Sequence, residues 1–351
     1  MRHLSLVGII ANPDSGRDIR RVASHALVVG NQEKANIVAR VLLALAAVGV
    51  ERIAIMPDHF GIGLRALREL ANDPTVQAAT SLIDMELEGN QRDSAAATRW
   101  LVEQGAGCIV VLGGDGTCRV VAKAAAATPI LPISTGTNNV VPAFVEATIA
   151  GLAAGYVALH SGQDPAATCY RHKVLTVYVN GREADQALVD VALVAARFTG
   201  ARAVWQPGLV RQVFVSRAQP TSIGMSAIIG VIRPVGLHDP WGATATIGTG
   251  SNRVLVPIAP GSLLPVAVDD VQVMNPGERH PVLAGATAAL ALDGERELIV
   301  GSDDQASVAL SLEGPWLVDV ERTLGLAVAE GLFRRLGAAM GGRPSLQTLP
   351  R

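Results

Sequence analysis

Aromatic residues are scarce in this chain, and charged residues of either sign are also few. Aromatic side chains account for 3% of the 351 residues and charged side chains for 17%, with a formal net charge of −2. Single-stranded nucleic acid is commonly bound by stacked aromatic rings beside clustered lysine and arginine. This composition therefore argues against a nucleic-acid partner, while the 49% of hydrophobic residues indicates a globular chain with a large core.

Cysteine is rare, and long apolar segments are missing. The three cysteines, Cys108, Cys118 and Cys169, lack Cys-x-x-Cys spacing, which predicts no zinc site and favours a reducing compartment. The most apolar helical stretch, residues 37–50, contains Arg40 and is shorter than the roughly 20 residues that cross a bilayer. We therefore expect a cytoplasmic protein that makes no contact with a membrane.

Two kinds of hydrophobic pattern divide the chain. Over residues 1–145, short runs of Val, Ile and Leu alternate with Ala- and Leu-rich helical patterns, which predicts a doubly wound α/β domain with a parallel sheet. Over residues 146–317, short alternating runs are punctuated by Gly and Pro, which predicts a β-rich domain. Helical periodicity returns within residues 318–340, and we expect this segment to pack back on the first domain.

The β-rich part also contains two local patterns with definite structural meaning. Residues 173–179 and 187–195 flank Asn180-Gly181, a dipeptide that favours positive φ, and this arrangement predicts a hairpin. Residues 226–232 form a short apolar run, which we predict to be a further strand.

The strongest chemical signal is a glycine-rich turn between a buried strand and a helix. Residues 108–112 form the apolar strand, and Gly113-Gly114-Asp115-Gly116-Thr117 follow directly. Glycine permits positive φ and close backbone approach, so amide N–H groups at the helix N-terminus can point at a phosphate. Asp115 is a lone acid in this turn, and we predict that it takes a proton from an attacking hydroxyl or binds Mg²⁺ carried by the phosphates. The alternative is an ordinary strand–helix turn with Asp115 as a cap.

Two further loops follow predicted parallel strands and are expected at the same crevice. They are residues 12–16 and residues 134–139, which offer hydroxyls, amides and free backbone to phosphate or ribose. The carboxyl ends of neighbouring parallel strands converge on one edge of the sheet. The predicted nucleotide- and phosphate-binding residues are therefore Asn12, Ser15, Gly113, Gly114, Gly116, Thr117, Gly136, Thr137, Asn138 and Asn139.

These motifs resemble those of the ATP-NAD kinase-like superfamily, which contains NAD kinases, diacylglycerol kinases and sphingosine kinases. The Gly-Gly-Asp-Gly-Thr turn, the upstream Asn-Pro-x-Ser-Gly loop and the downstream Gly-Thr-x-Asn loop carry the resemblance. Residues 256–263 look like the Pro-Ile-x-Pro-His-Ser-Leu segment of NAD kinases, and Asp293-Gly294-Glu295 is similar to the late Asp-Gly motif. The overall pattern is most similar to the acetoin catabolism protein X branch.

The resemblance implies an α/β domain that binds ATP, a β-sandwich second domain, an active site between them, and a homo-oligomer. It also implies a phosphotransferase that uses Mg²⁺ and moves a phosphoryl group from ATP, or from polyphosphate, to a hydroxyl of a small molecule or nucleotide. Asp190, Asp293 and Glu295 are then the predicted acceptor-binding residues. Val189-Asp190 stands where NAD kinases carry an Asn-Glu pair. We therefore expect Val189 to face the acceptor without a hydrogen bond, and NAD to be a poor acceptor.

Two other functions stay open at this point. A non-catalytic nucleotide sensor would keep the phosphate loop and lose acceptor recognition, as the change to Val189 suggests. An NAD-dependent oxidoreductase is suggested by Gly61-Ile62-Gly63 after a predicted strand and by Asp84 at the end of the next one. This arrangement partly matches a dinucleotide-binding fingerprint.

Overall fold

The first sheet is parallel except at one edge. The computed structural model describes residues 4–15, 29–136, 139–195, 209–248, 250 and 252–340. Within them the first sheet contains β1 (Leu6–Ala11), β2 (Arg52–Ile55), β3 (Thr80–Leu82), β4 (Cys108–Gly113), β5 (Ile130–Ser134), β6 (Cys169–Arg171) and β18 (Trp316–Val318). The strand order is β3-β2-β1-β4-β5-β18-β6, and only β6 runs antiparallel to its neighbour. This is the predicted doubly wound parallel sheet.

Helices cover both faces of this sheet, which explains why β1 and β4 are continuous apolar runs that are buried on both sides. One face packs against α1 (Asn31–Val48), α2 (Ile62–Glu69), α3 (Pro74–Ala79) and α6 (Ala147–Leu159). The other face packs against α4 (Gln91–Glu103) and α5 (Asp115–Ala124). Within the described ranges, no helix combines the length and apolar character needed to cross a membrane.

Two antiparallel sheets form the second part of the chain. Their strands are β7 (Val174–Val179), β8 (Arg182–Ala187), β9 (Asp190–Val194), β10 (Val210–Val215), β11 (Gly242–Ile247), β12 (Arg253–Ala259), β13 (Ser262–Met274), β14 (Arg279–Pro281), β15 (Ala288–Leu292), β16 (Glu295–Val300) and β17 (Ala306–Ser311). The orders are β12-β13-β11-β10-β9-β15-β16 and β14-β17-β7-β8. Leu175 and Val177 of the smaller sheet share a core with Val191 and Phe214 of the larger one. The β-sandwich implied by the family resemblance is therefore confirmed.

The end of the chain returns to the first sheet, as predicted. Strand β18 pairs in parallel with β5, and Leu324 of α8 (Val320–Ala329) packs against the first core. Gly331, with a φ of 71°, separates α8 from a further helix at Leu332–Met340, so the predicted single helical segment is two helices. Helix α6 and strand β6 also pack with the first sheet, although both lie beyond residue 145, where the sequence places the domain boundary.

Two local predictions need correction. Residues 226–232 are not a strand, because Met225–Gly230 forms a helix that packs on β10 and β12 and is buried throughout. Burial on all sides removes the periodicity that separates a helix from a strand. The turn at Asn180-Gly181 has positive φ at both residues, as predicted, but it joins β7 to the polar strand β8, while β9 enters the other sheet.

Candidate active site

A crevice of about 350 Å³ opens at the carboxyl edge of the first sheet, where the loops after β1, β2, β4 and β5 meet. The second domain contributes Asp293 to its wall. The first domain contributes residues 12–15, 56–60, 89–91, 93, 94, 114–117, Val120, Gly136 and Asn139. The crevice therefore lies where the topology of a doubly wound sheet predicts a ligand site.

Close backbone approach explains the glycines of the turn between β4 and α5. A Cβ at Gly113 would lie 2.5 Å from the Cβ of Thr117. A Cβ at Gly136 would lie 2.6 Å from Oδ1 of Asn139 and 3.0 Å from the Cα of Gly114. Glycine permits positive φ, but Gly113, Gly114 and Gly116 do not adopt it and all lie outside the left-handed region. Glycine is needed at 113 because the turn packs on its own Thr117, and at 136 because this loop touches Gly114 of the turn.

The N-terminus of α5 is open toward the crevice. The amides of Gly116 and Thr117 have no hydrogen-bond acceptor among the residues that the structure describes. At the neighbouring helix α4, by contrast, the Asn90 side chain accepts from the amide of Arg92. An uncapped helix N-terminus carries free N–H groups and the positive end of the helix dipole, which together bind anions. Helix α5 therefore has the open N-terminus that phosphate binding would need, and phosphate binding itself stays a prediction.

Asp115 lies at the start of α5 and is almost fully buried, with its carboxylate facing the segment after β5. Its oxygens accept from the amide of Val140, at 3.0 and 3.1 Å, and from that of Val141, at 2.8 Å. These amides belong to another loop, so the bonds hold two loops together and do not cap α5. Asp115 also lines the crevice. Its catalytic role stays a prediction.

Side-chain hydrogen bonds join the three predicted loops. The side-chain amide of Asn12 donates to Oγ1 of Thr117 at 2.8 Å. The Ser15 hydroxyl lies 2.8 Å from that of Thr135 and donates to the carbonyl of Asn12 at 3.0 Å. The Asn139 amide donates to Ser134 at 2.6 Å. The expected convergence of the loops is thus present, while Thr137 and Asn138 lie outside the described residues.

Lys34 is a site residue that the sequence analysis missed. It lies in the first turns of α1, and its side chain is completely buried. Its ammonium donates to the carbonyls of Asn12, Pro13 and Ser15 at 2.8, 3.1 and 3.0 Å. No motif contains this lysine, so only the three-dimensional contacts connect it with the site.

Asp293 faces the crevice from the turn between β15 and β16, where its φ is 51° and that of Gly294 is 81°. Its carboxylate accepts from the amides of Leu188, Val189 and Asp190 at 3.0, 2.7 and 3.2 Å. Burial raises the pKa of the Asp293 carboxyl, and the nearby Arg119 guanidinium opposes this rise. Asp293 thus holds together two connections of the second domain as well as lining the crevice.

The other two predicted acceptor residues have different positions. Asp190 opens β9, is buried, and is not among the described residues that line the crevice. Glu295 opens β16, and its side chain lies outside the described part of the structure. A binding role for each stays a prediction.

Helix α5 is tied to the second domain by ion pairs. The guanidinium of Arg119, which is buried, lies 3.5 Å from the carboxylate of Asp293 and 3.7 Å from that of Asp185. Lys123, one turn further along α5, also pairs with Asp185. Arg119 and Lys123 are four residues apart and therefore lie on one face of α5, and this spacing is the sequence signal that could have indicated the contact with the second domain. These ion pairs link α5 to the domain that carries Asp293.

The expected position of Val189 is wrong. Its side chain is 1% exposed and packs in an apolar cluster with Cys118, Val121 and Val141. It is absent from the described lining of the crevice. The lack of a hydrogen-bonding group at residue 189 therefore does not act directly on a bound ligand.

The dinucleotide fingerprint also has a different explanation. Gly61, with a φ of 68°, is the N-cap of α2, and a Cβ at Gly63 would lie 2.7 Å from a methyl carbon of Ile55. Both glycines follow β2 instead of β1, the first strand of the chain. They serve a helix start and a tight helix–strand contact, so the oxidoreductase alternative loses its support.

Comparisons with known proteins agree with this architecture and identify the class of protein to which the chain belongs. Residues 7–161 match the ATP-NAD kinase N-terminal domain, and residues 173–313 match the acetoin catabolism protein X C-terminal domain. The Acetoin catabolism protein X of Cupriavidus necator is 39% identical over 342 residues, which cover 94% of each chain. The chain belongs to the acetoin catabolism protein X family.

One solved structure that matches is a Bacillus anthracis str. Sterne protein provisionally described as a diacylglycerol kinase. Its sequence identity is 13%, its TM-score is 0.44, and the match covers 91% of this chain and 98% of that one.

Proposed function

We propose that this protein is an ATP-dependent phosphotransferase that acts on a hydroxyl group of a small molecule in acetoin catabolism. The observation that carries the proposal is the open N-terminus of α5 between two loops whose side chains bind one another. Such a cradle of free amides, hydroxyls and glycines is suited to a polyphosphate chain. The kinase-type N-terminal domain and the acetoin catabolism relative support the same reading.

The charge of the crevice favours a nucleotide that arrives with a divalent cation. Within the described part of the chain, its lining includes five aspartates and neither lysine nor arginine. A triphosphate alone would be repelled by these carboxylates, whereas Mg²⁺ is commonly held by substrate phosphates and one or two carboxylates. We assign this ion to the phosphates themselves, which leaves the Asp115 carboxylate, beside the open end of α5, to act as the base.

In the proposed reaction, the acceptor oxygen forms a bond to the γ-phosphorus while the bond from that phosphorus to the bridging oxygen of ADP breaks. The acceptor proton passes to the carboxylate of Asp115. The amides of Val140 and Val141 keep this carboxylate in place, and the amides of Gly116 and Thr117 donate to phosphate oxygens. Positioning and electrostatic stabilisation are the main means of catalysis in phosphoryl transfer.

A second candidate is a nucleotide sensor without catalytic activity. The carboxylates of Asp115 and Asp293 both accept hydrogen bonds from backbone amides, and these hydrogen bonds connect loops. If connecting loops were their whole role, the crevice would bind nucleotide and change the loop arrangement without turnover.

The test combines calorimetry of Mg-ATP binding with ADP release in the presence of polyhydroxy and hydroxyketone acceptors, with inorganic polyphosphate as the alternative donor. Asp115→Asn should lower turnover by about 100-fold or more, because general-base contributions have this size. Asp73→Asn is the matched control, since the Asp73 carboxylate also accepts hydrogen bonds from two backbone amides but lies outside the crevice. Binding without turnover on every acceptor favours the sensor, and absence of nucleotide binding contradicts both candidates.

A further inference from the structure

The side chain of Lys34 has an environment that stability alone does not explain. An ammonium buried without water is costly, and a cation near the N-terminus of a helix opposes the helix dipole. Both unfavourable effects apply to Lys34, because its side chain is 0% exposed and it lies four residues after the N-cap of α1. Among the described residues, Oδ1 of Asn31, at 3.3 Å, also accepts from this ammonium beside the three loop carbonyls.

The three carbonyls belong to the segment that carries two of the loop-joining side chains. Asn12 reaches Thr117 in the turn of α5, and Ser15 reaches Thr135 in the loop after β5. The ammonium therefore stands behind the crevice and holds the backbone from which both contacts start. Removing it would take a charged donor from three carbonyls, of which that of Asn12 would keep the Ser15 hydroxyl, and would loosen the segment.

We infer that Lys34 is a positioning residue for nucleotide binding, which acts through the carbonyls of residues 12–15 and keeps the three phosphate-binding loops in register. The inference rests on the proposed function, since the ligand of these loops is the proposed Mg-nucleotide. Lys34 does not line the crevice, so its effect on a ligand passes through the loops.

The second domain supplies a matched control. Lys173 is also almost fully buried, and its ammonium donates to the carbonyls of Gly236, Asp239 and Trp241 at 2.8, 3.0 and 2.9 Å. None of these residues lines the crevice. Replacement of either lysine by methionine removes the charge from a carbonyl cage and keeps an apolar stem of similar length.

The experiment compares Lys34→Met and Lys173→Met in the full chain, with the dissociation constant of Mg-ADP measured by calorimetry. Lys34→Met should raise this constant by at least about ten-fold, the effect of losing roughly one charge-assisted hydrogen bond. Lys173→Met should leave it unchanged, even where both variants lose similar stability in urea. Equal loss of affinity in the two variants, or unchanged affinity in Lys34→Met, overturns the inference.

Chemical rescue adds a readout that depends on the ammonium group itself. Lys34→Ala removes the atoms of a propylammonium ion, and added propylammonium chloride should restore Mg-ADP binding to this variant. It should not change the affinity of Lys173→Ala. If Lys34→Ala folds and the amine does not restore binding, positioning by the ammonium is contradicted; if it does not fold, the methionine pair decides.

Hydrogen exchange separates failure of this inference from failure of the proposed function. If the wild-type protein binds no Mg-nucleotide, the proposed function is wrong, but exchange of the amides in residues 9–15 and 112–118 still tests Lys34. These amides should exchange faster in Lys34→Met than in wild type and Lys173→Met. Identical protection in all three proteins contradicts the positioning role.

Discussion

His172 is predicted to make the folded state sensitive to mild acid. The side chain is completely buried, its Nδ1 lies 2.6 Å from the carbonyl of Lys173, and its buried Nε2 has no hydrogen-bond partner among the described residues. Burial lowers the pKa of His172 from 6.5 to about 4, and the charges of Arg217 and Lys173 act in the same direction. The hydrogen bond to the carbonyl of Lys173 opposes the decrease.

The sign of the effect follows from proton binding. Between pH 6.5 and about 4 the unfolded chain carries a proton on His172 that the folded chain lacks, so folding becomes less favourable as the pH falls. The full contribution is present above pH 6.5, and the loss is complete below about pH 4. At about 1.4 kcal/mol for each pH unit, the loss amounts to roughly 3 kcal/mol.

The assay is urea unfolding of wild type and His172→Asn at intervals from pH 7.5 to pH 4.5. Asparagine can still donate to the carbonyl of Lys173 but does not titrate, so the difference in unfolding free energy between the two proteins should change by about 2–3 kcal/mol over this range. Carboxylates that titrate in the same range cancel in this difference. The exposed His59, replaced by Asn, is the control. A pH-independent difference between wild type and His172→Asn would refute the reasoning.

Two further substitutions test packing at and near the crevice. Gly136→Ala places a Cβ 2.6 Å from Oδ1 of Asn139 and should weaken Mg-nucleotide binding by about ten-fold or more by separating the loops. Gly162→Ala is its control, because a Cβ there meets nothing within 4 Å; calorimetry giving equal affinities would count against the close-contact argument. Val189→Asn should lower the unfolding free energy by about 1–3 kcal/mol, since it buries an amide among apolar side chains. Urea unfolding beside Val328→Asn, at a position 65% exposed, measures this, and a Val189→Asn protein as stable as wild type would show that the cluster is open to water.

The local hydrophobic pattern was sufficient to predict the strands whose residues all face one kind of environment. β1 and β4 are apolar at every residue because helices cover both sides of the sheet, and such runs predict parallel strands. The Gly113–Thr117 turn was readable because its glycines and its acid lie next to one another in the chain. The crevice followed from these two observations, since parallel strands end at one edge.

Contacts between distant segments could not be read in the same way. Met225–Gly230 is buried on all sides, so its helix left no periodic trace. Lys34 contacts carbonyls about 20 residues away, and backbone carbonyls are present at every position. The sequence around Lys34 therefore does not indicate which carbonyls its ammonium contacts.

The sequence by itself determined the α/β and β-rich parts of the fold, the glycine-rich turn between β4 and α5, and the edge of the sheet at which the loops meet, because each depends on neighbouring residues and on strand order. Only the tertiary structure decided the orientation of side chains between segments. Val189 turned into the apolar cluster, and Asp293 engaged three amides of the β8–β9 connection. The physical reason is that burial and hydrogen bonding depend on which distant segment is adjacent in space, and adjacency is a property of the folded chain.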